Sequence, residues 1–300
     1  MRLGGFVVLI GAAFVGVAIA AQAWESHAPL PVARTEVAAT AFGREIAVVG
    51  GFLENGGSSR RVDFYAPASD EWRRGPELPA AVNHSAATVA RGQLYVVGGY
   101  GAERSAFVLR GTSWKMLSLP GPRAAAGVAA LRGTVYVVGG VGGNGNARSM
   151  FAYDTRNGRW LTLPGPRPRQ HLAVAATRGR IYAIAGRTSG LNTNFTLVES
   201  WAPGEKRWRR EAPVPEARGG TGAAAIGSTI VSVGGEAPGG TVRTVYAYDV
   251  VRRRWKRLAD LPTPRHGLGV AALRGVVYVI GGGPQPGLYV SDANESLRIG

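Results

Sequence analysis

The stretch Thr134-Val-Tyr-Val-Val-Gly-Gly140 decides the fold, because close copies of it recur along the chain. A near-identical copy, Val276-Val-Tyr-Val-Ile-Gly-Gly282, lies close to the C-terminus, and shorter copies end at Gly51, Gly99, Gly186 and Gly235. A period of about 40 to 50 residues is typical of repeat architectures built from one small structural unit. We therefore expect a single repeat domain, although 300 residues would otherwise suggest one large or two ordinary domains.

Each copy lies inside a longer unit with four extended segments. In the unit around Thr134 the order is AAAGVAA, then TVYVV, then SMFAYD, then a segment that begins at Trp160. β-Branched and aromatic residues favour strands, and a glycine between the first two segments supplies the positive φ of a tight hairpin. Four short antiparallel strands cannot bury both faces alone, so the units must stack on one another. A closed ring of such sheets is a β-propeller.

The repeat is similar to the kelch repeat, in which a Gly-Gly after an apolar strand is followed by a tyrosine and then a tryptophan. The tyrosine-to-tryptophan spacing of seven holds for the pairs Tyr65 and Trp72, Tyr153 and Trp160, and Tyr248 and Trp255. The second unit departs from the pattern, since Val108-Leu109 stands where the tyrosine is expected. The resemblance covers roughly residues 24 to 300. It implies an all-β fold, a six-bladed kelch-type β-propeller.

The two ends of the chain each carry part of one unit. After Gly282 there is room for one more strand and no tryptophan follows, whereas Trp24 and Leu30-Pro31 stand near the start without strands before them. We expect the N-terminal segment to supply the fourth strand of the last blade. That pairing would close the ring and cover both exposed edges.

Residues 1–23 have the features of a signal peptide. The apolar run follows Arg2 and ends in Ala21-Gln22-Ala23, the small-x-small pattern of a cleavage site. An uncleaved membrane anchor is the alternative, because the run is near the roughly 20 residues that span a bilayer. The predicted organisation is therefore a leader or anchor at 1–23 and a propeller at 24–300. The expected route is secretory, to the periplasm or the cell exterior.

The charge of the chain bears on its partners. The formal net charge is +16 and only three of the 35 basic residues are lysine, which favours attraction to polyanions. Export argues against nucleic acid as the partner. We expect instead an acidic glycan, an anionic envelope polymer or a protein partner, and we expect the chain to be a monomer. The alternative, in which the arginines only solvate the outer surface, stays open. With no cysteine, disulfides, thiolate metal sites and thiol nucleophiles are excluded.

Arginine recurs at one position of the repeat. In kelch-like propellers the first strand of each blade lines a central channel, and the position three residues after each Leu-Pro stands at its entrance. We predict that these guanidinium groups form an anion-binding funnel, since each offers a fork of donors suited to carboxylate or phosphate. In the alternative, each arginine bonds loop carbonyls of the neighbouring blade. The residues are Arg34, Arg123, Arg169, Arg218 and Arg265, with Val82 in the second unit; Arg169 lies five residues after its Leu-Pro, and Arg218 follows Val214-Pro215.

Histidines follow two of these positions. His84 and His171 stand two residues after the arginine position, so alternation puts them on the same side of the chain and at the same opening. Glu36 shares that register, and His266 is offset by one. We therefore add His84 and His171 to the predicted ligand-binding residues. Two histidines from nonadjacent blades fall short of the three or four ligands of a metal site, so the sequence predicts no metal and no cofactor.

The loop after the fifth Gly-Gly suggests a second function. Glu236 and Arg243 resemble the Glu-Ala-x-x-Gly-x-Arg arrangement of the sialic-acid mutarotase branch of kelch proteins, although the arginine is one residue later. The resemblance implies a cofactor-free acid–base pair that opens a sugar ring, and a plain salt bridge is the alternative. Galactose oxidase also has kelch blades, but its tyrosine–cysteine cofactor requires the absent cysteine. The predicted function is a noncatalytic binding module, with a mutarotase or epimerase for an acidic sugar as the alternative.

Overall fold

The computed structural model describes Met1 and residues 23–299, and in it the strands form six four-stranded antiparallel sheets and two small two-stranded hairpins. The six-bladed β-propeller that the sequence predicts is confirmed. In the first three blades the strands are β2 (Ala38–Phe42), β3 (Glu45–Val49), β4 (Val62–Ala66), β5 (Glu71–Arg74), β6 (Ala86–Ala90), β7 (Gln93–Val97), β8 (Ser105–Arg110), β9 (Ser113–Ser118), β10 (Gly127–Leu131), β11 (Thr134–Val138), β14 (Ser149–Asp154) and β15 (Arg159–Pro164).

In the last three blades the strands are β16 (Ala173–Thr177), β17 (Arg180–Ile184), β18 (Val198–Trp201), β19 (Arg209–Arg210), β20 (Gly222–Ile226), β21 (Thr229–Val233), β24 (Val245–Asp249), β25 (Arg254–Arg257), β26 (Gly269–Leu273), β27 (Val276–Ile280), β28 (Asn294–Arg298) and β1 (Trp24–Ser26). The two hairpins and a single 3₁₀ turn extend the loops that follow the second strands of blades three to five. They are β12 (Val141–Gly142) with β13 (Gly145–Asn146), β22 (Glu236–Ala237) with β23 (Gly240–Thr241), and Leu191–Thr193.

The first strands form the inner ring. Each of β2, β6, β10, β16, β20 and β26 contacts the first strand of the next blade, and β26 contacts β2, so the ring is closed. Small residues are needed here because neighbouring blades approach closely. A Cβ on Gly127 would lie 2.2 Å from Cγ2 of Val174 in the next blade, and a Cβ on Gly222 would lie 2.2 Å from Cγ2 of Val270.

The N-terminal strand closes the ring as the sequence predicts. β1 pairs antiparallel with β28, with Trp24 opposite Leu297, and the last sheet has the order β1-β28-β27-β26. The indole Nε1 of Trp24 donates a hydrogen bond to the carbonyl of Ala259 in blade five over 3.0 Å. The same bond to the preceding blade is made by Trp72 to Ala28, Trp114 to Pro76, Trp208 to Pro164 and Trp255 to Ala212. Trp24 therefore makes the same interblade hydrogen bond as the fourth-strand tryptophans, although it comes from the opposite end of the chain.

The tyrosine-to-tryptophan spacing of seven also has a structural cause. Tyr65 lies directly opposite Trp72 across β4 and β5, with ring centroids 5.0 Å apart. Tyr153 with Trp160 and Tyr248 with Trp255 repeat the pair, each at 4.8 Å. Where blade two lacks the tyrosine, Leu109 faces Trp114. The repeat pattern therefore records one cross-strand contact.

The predicted leader falls on residues 1–23, of which residues 2–22 lie outside the part of the chain that the structure describes. Within Met1 and residues 23–299, no helix is long and apolar enough to cross a membrane.

Candidate functional site

The five arginines of the predicted funnel are buried between the strands of their own blades. Arg34, Arg169, Arg218 and Arg265 are 0 % exposed and Arg123 is 5 % exposed. Arg169 donates to the carbonyls of Ala183 and Ala185 on the second strand of its own blade, at 3.0 and 2.6 Å. The prediction that these groups converge on the opening is wrong, and so is the alternative in which they bond the neighbouring blade.

The third strand of the same blade completes each arginine's surroundings. Arg34, Arg169 and Arg265 reach a carboxylate at one equivalent position, namely Asp63, Glu199 and Glu295 respectively. Arg123 and Arg218 lie over aromatic rings at that position, namely Phe151 and Tyr246 respectively. In blade two Val82 replaces the arginine, and Phe107 stands at the partner position within the same apolar cluster. In every blade the two positions thus pack against each other as a structural pair.

The backbone of this arginine position joins neighbouring blades. In every blade the N–H of the residue at the second Gly-Gly position donates to the carbonyl at the arginine position of the next blade, at 2.8 to 2.9 Å. Gly282 closes the circle by donating to Arg34. Glycine is required here for two reasons. Its φ is positive, as at Gly51 (97°), and a Cβ on Gly51 would lie only 2.6 Å from the carbonyl oxygen of Thr35.

A second backbone ring lies at this end of the channel, two residues after the arginine position. Each ring residue has a positive φ, between 49° and 62°, and its N–H donates to the carbonyl of the preceding ring residue at 2.9 to 3.1 Å, except that Val37 makes the closing bond to Gly267. We call these six residues the mouth ring, and they are Glu36, His84, Ala125, His171, Gly220 and Gly267. Non-glycine residues at such φ cost free energy, so their presence marks positions held by the surrounding structure.

Three mouth-ring residues carry polar side chains, and these meet on the axis. His84 Nε2 lies 3.1 Å from His171 Nε2 and 3.4 Å from a carboxylate oxygen of Glu36. The ligating atoms of the three residues all lie within 4.8 Å of one another. His84 and His171 therefore lie at one opening, and they also contact each other, which the sequence did not predict. The reason given against a metal site is wrong, because side chains from nonadjacent blades do meet at the centre of a closed ring.

A further set of side chains holds these three in place. His84 Nδ1 is 2.6 Å from Asn83 Oδ1, and His171 Nδ1 is 3.0 Å from Gln170 Oε1. His266 Nδ1 lies 3.2 Å from Glu36 Oε1, and its Nε2 lies 3.0 Å from the carbonyl of Gln285. Asn83, Gln170 and His266 all stand one residue before a mouth-ring residue. The ring residue and the residue before it thus form an inner and an outer layer around the axis.

The mouth ring opens into a cavity of about 300 Å³. Arg187 and Glu236, which directly follow the glycine motif of their blades, form a buried salt bridge at 2.5 Å across this cavity. Glu236 Oε2 also lies 3.7 Å from His266 Nδ1. The apolar part of the wall is formed by Phe52, Leu191, Pro286 and Leu288.

Arg243 does not belong to this cavity. Its side chain is 60 % exposed and its nearest acidic partner is Asp260, at 3.9 Å. The hairpin of β22 and β23 sets Glu236 opposite Thr241, so Arg243 lies between this hairpin and β24, on the way back to the sheet. The predicted Glu236–Arg243 pair is therefore not formed, and the mutarotase alternative loses the pair on which it rested.

The ionisable groups of the cavity have shifted pKa values. Burial lowers the pKa of His171 to about 3, against the opposing charge of Glu36. Burial acts to lower the pKa of His266 as well, but its hydrogen bond to Glu36 and the charges of Glu36 and Glu236 outweigh it and raise the pKa. Burial acts to raise the pKa of Glu36, yet the charge of His84 and the His266 hydrogen bond hold it well below its usual range. His171 is thus neutral at pH 7, and the two carboxylates favour the protonated form of His266.

The opposite end of the channel carries a different set of side chains. There the first strands line a cavity of about 250 Å³, mostly with alanine and with a few valine and threonine side chains, next to the hairpins between the first and second strands. Five of the six hairpins carry an exposed arginine at the turn, and we call these residues the arginine crown: Arg44, Arg91, Arg132, Arg178 and Arg274. Four of them have φ between 49° and 52° and precede a glycine of positive φ, which is the backbone of a type I′ turn.

Two crown arginines reach the turn of the next blade. A Cβ on Gly133 would lie 2.7 Å from Arg91 Nε, and a Cβ on Gly179 would lie 3.5 Å from Arg132 Nη2. Within residues 23–299 none of the five forms a salt bridge. Other exposed arginines do, for example Arg73 with Glu45 and Arg209 with Glu205.

The residues that sequence reasoning missed stand at fixed places in the repeat. Arg187 belongs to the set that directly follows the glycine motif, which comprises Phe52, Tyr100, Val141, Arg187, Glu236 and Gly283. Alignment of the six units on Gly-Gly would have placed Arg187 and Glu236 at one level. The sequence also contains the signal for the crown, because an Arg-Gly pair recurs at the first hairpin. Only the glycine of that pair was interpreted, as the residue that allows the turn.

Two models of protein families match the chain. The KLHDC2/KLHL20/DRC7 Kelch-repeats domain matches residues 36–210, which is more than half of the chain, and the Kelch motif matches residues 217–262. No curated protein matches the chain.

Proposed function

The chain belongs to the kelch-repeat family, whose propellers generally mediate protein interactions, and on that premise we propose that it is a noncatalytic interaction module that binds an acidic partner through the arginine crown. The partner chemistry is a surface of closely spaced carboxylates. An acidic glycan, an anionic envelope polymer and an acidic protein all offer it.

The observation that carries this proposal is the absence of acidic partners around the five crown arginines in the described part of the chain. An arginine that lacks an internal carboxylate keeps all its donors for a ligand, and guanidinium groups bind carboxylates in a bidentate geometry. Because the crown surrounds one opening, several arginines can reach one polyanion at once. The net charge of +16 adds a long-range attraction that speeds encounter with such a partner.

The test removes three crown charges without disturbing the turns. Asparagine tolerates positive φ, so Arg91→Asn, Arg132→Asn and Arg178→Asn keep the hairpins folded. Binding to fluorescent polygalacturonate, poly-glutamate and neutral pullulan is measured by anisotropy at several salt concentrations. We expect the triple variant to bind the two anionic probes at least about tenfold more weakly, which corresponds to about 1.4 kcal/mol, and to show a weaker salt dependence.

A matched control removes the same charge elsewhere. The control variant carries Arg159→Gln, Arg207→Gln and Arg254→Gln. These arginines lie on the fourth strands or the turn before them, are exposed, and form no salt bridge within residues 23–299. Binding of this control should stay within about threefold of the unmodified chain, less than one hydrogen-bonded charge pair contributes. An equal loss in the control would mean that the attraction is diffuse, and the crown would have no special role. A preference for poly-glutamate over polygalacturonate would assign the partner to protein, and the reverse would assign it to glycan.

We also propose that the protein acts outside the cytoplasm, because residues 1–23 carry the pattern of a cleavable leader. Mass spectrometry of the chain recovered from the periplasm of an expressing cell should then give Trp24 as the first residue. A chain that retains its N-terminus and sediments with membranes would support the anchor instead.

A further inference from the structure

The mouth ring has the features of a metal site, and this site is at the other end of the channel from the arginine crown. We propose that Glu36, His84 and His171 bind one divalent first-row metal ion of the Zn²⁺ class on the axis of the propeller. The inference is independent of the proposed binding function, because it uses different residues at a different opening.

Two of the three distances between the ligand atoms match those around one ion, and all three lie within 4.8 Å. Zn–N bonds of about 2.0 to 2.1 Å in a tetrahedral arrangement place two imidazole nitrogens roughly 3.3 Å apart. The Nε2 atoms of His84 and His171 are 3.1 Å apart, and the Nε2 of His84 is 3.4 Å from Glu36 Oε2. Two imidazoles and one carboxylate are the ligands of many zinc sites with an open position. Here the open position would face the cavity of about 300 Å³.

The hydrogen bonds of the two histidines point to the same conclusion. Gln170 donates from Nε2 to the carbonyl of Thr188 at 3.4 Å, so its Oε1 is the acceptor that faces His171 Nδ1. Asn83 donates from Nδ2 to Ser58 Oγ at 2.7 Å, so its Oδ1 likewise faces His84 Nδ1. Both imidazoles therefore carry a proton on Nδ1. Their Nε2 atoms face each other at 3.1 Å, a distance that requires a cation between them, either a shared proton or a metal ion.

The surroundings match those of known metal ligands. A ligating histidine usually donates a hydrogen bond from the N–H of its second ring nitrogen to an oxygen, which fixes the orientation of the ring. A ligating carboxylate is itself hydrogen-bonded. Asn83 and Gln170 serve the histidines in this way, and His266 holds the second oxygen of Glu36. Gly220 and Gly267 add no side chains of their own to the ring, and the Glu36 carboxylate lies where a Cβ on Gly267 would stand, 2.6 Å from its carboxyl carbon.

The test measures metal binding directly. The chain is stripped with EDTA, exchanged into chelator-free buffer and titrated with ZnCl₂ by calorimetry, and the bound metal is counted by mass spectrometry. We expect one ion per chain, and an increase in melting temperature because the ion binds only the folded state. Substitution with Co²⁺ should give the visible absorption of a four- or five-coordinate nitrogen–oxygen site.

The variants separate ligands from supports and from other histidines. His84→Gln, His171→Gln and Glu36→Gln should each lower the affinity for Zn²⁺ by at least about 100-fold, beyond the usual effect of outer-shell changes. Gln170→Leu, which removes the acceptor for His171 Nδ1, should lower it about 10- to 100-fold, and Gln170→Glu should restore it. The fourth histidine, His27, lies away from the ring against Tyr65 and Tyr278, and His27→Gln should leave the binding unchanged.

Two results would overturn the proposal. One is an unmodified chain that takes up no stoichiometric Zn²⁺, in which case a shared proton joins the two imidazoles. The other is binding that survives both His84→Gln and His171→Gln. The melting transition of each variant without metal shows whether it is folded. The Co²⁺ spectrum and the Zn²⁺-dependent rise in melting temperature then show whether the site is intact.

Discussion

Arg169 and Glu199 form a salt bridge of 2.5 Å inside blade four, where the arginine is fully buried and the glutamate side chain is 12 % exposed. At the equivalent positions blade two has Val82 and Phe107, an apolar pair. The propeller therefore accepts three solutions to one packing problem. The arginine pairs with a carboxylate in blades one, four and six and with an aromatic ring in blades three and five, whereas blade two pairs valine with phenylalanine.

We expect Arg169→Val to destabilise the protein by about 3 to 5 kcal/mol, because it leaves the charge of Glu199 buried without its partner. The double variant Arg169→Val with Glu199→Phe copies blade two and should recover at least half of that loss. Urea unfolding of the unmodified chain and of both variants measures the free energies. If the double variant is no more stable than the single one, the two positions do not form the structural pair described for blades two and four.

This arginine position shows where sequence reasoning stops. The repeat places Arg169 in its blade and its register, and the same reasoning predicts the strands and the ring closure correctly. It cannot tell whether the side chain points to the channel or back into the sheet, because that depends on a partner some 30 residues later. Glu199 follows no pattern that is shared by all six blades, since the equivalent residue is acidic in three and aromatic in three.

The candidate site shows the same limit. His84 and His171 could be placed at one opening because they share a register with the arginine position. Their contact could not, because it requires the curvature of a closed ring that brings blades two and four to one axis. Glu236 lines the cavity, but its partner is Arg187 from the neighbouring blade rather than Arg243 from its own loop.

The closing strand offers a second prediction. Trp24→Ala removes the indole hydrogen bond to Ala259 and the ring that packs on the cluster around Leu261 and Val277. We expect a loss of about 2 to 3 kcal/mol, less than for a fully buried tryptophan because Trp24 is only half-buried. The exposed neighbour serves as the control, since Glu25→Ala in the same strand should change stability by less than about 0.5 kcal/mol. Thermal and urea unfolding measure both.

An unchanged stability in Trp24→Ala would mean that pairing of β1 with β28 does not hold the ring together. A loss in Glu25→Ala as large as that in Trp24→Ala would assign the effect to the strand backbone rather than to the indole.

The mouth ring gives a third prediction. Ala125 has φ of 49°, a conformation that costs alanine about 1 kcal/mol relative to glycine, so Ala125→Gly should stabilise the protein by up to about that amount. Gly267→Ala should act in the opposite sense and more strongly, since its Cβ would lie 2.6 Å from the Glu36 carboxyl carbon and 2.8 Å from the Glu36 amide nitrogen. Differential scanning calorimetry compares the two. A destabilised Ala125→Gly would show that the alanine methyl group contributes packing that outweighs its backbone strain.

The last prediction concerns acid. The pKa of Glu205 is lowered, first by hydrogen bonds from Arg180 at 2.9 Å and further by the amide of Ala202, against the opposing effect of burial. A carboxyl group whose pKa is lower in the folded state stabilises the protein above its unfolded pKa of about 4.3, and this contribution is lost as the pH falls through the folded pKa. Glu205→Gln should therefore cost on the order of 1 kcal/mol at pH 7, and less as the pH falls below about 4, so the two stability curves converge in acid.

Urea midpoints measured from pH 7 to pH 3 check this, with the exposed Glu54→Gln as a control that should stay parallel to the unmodified chain. Curves for Glu205→Gln that remain equally separated at every pH would assign the loss to shape rather than to the charge of the carboxylate.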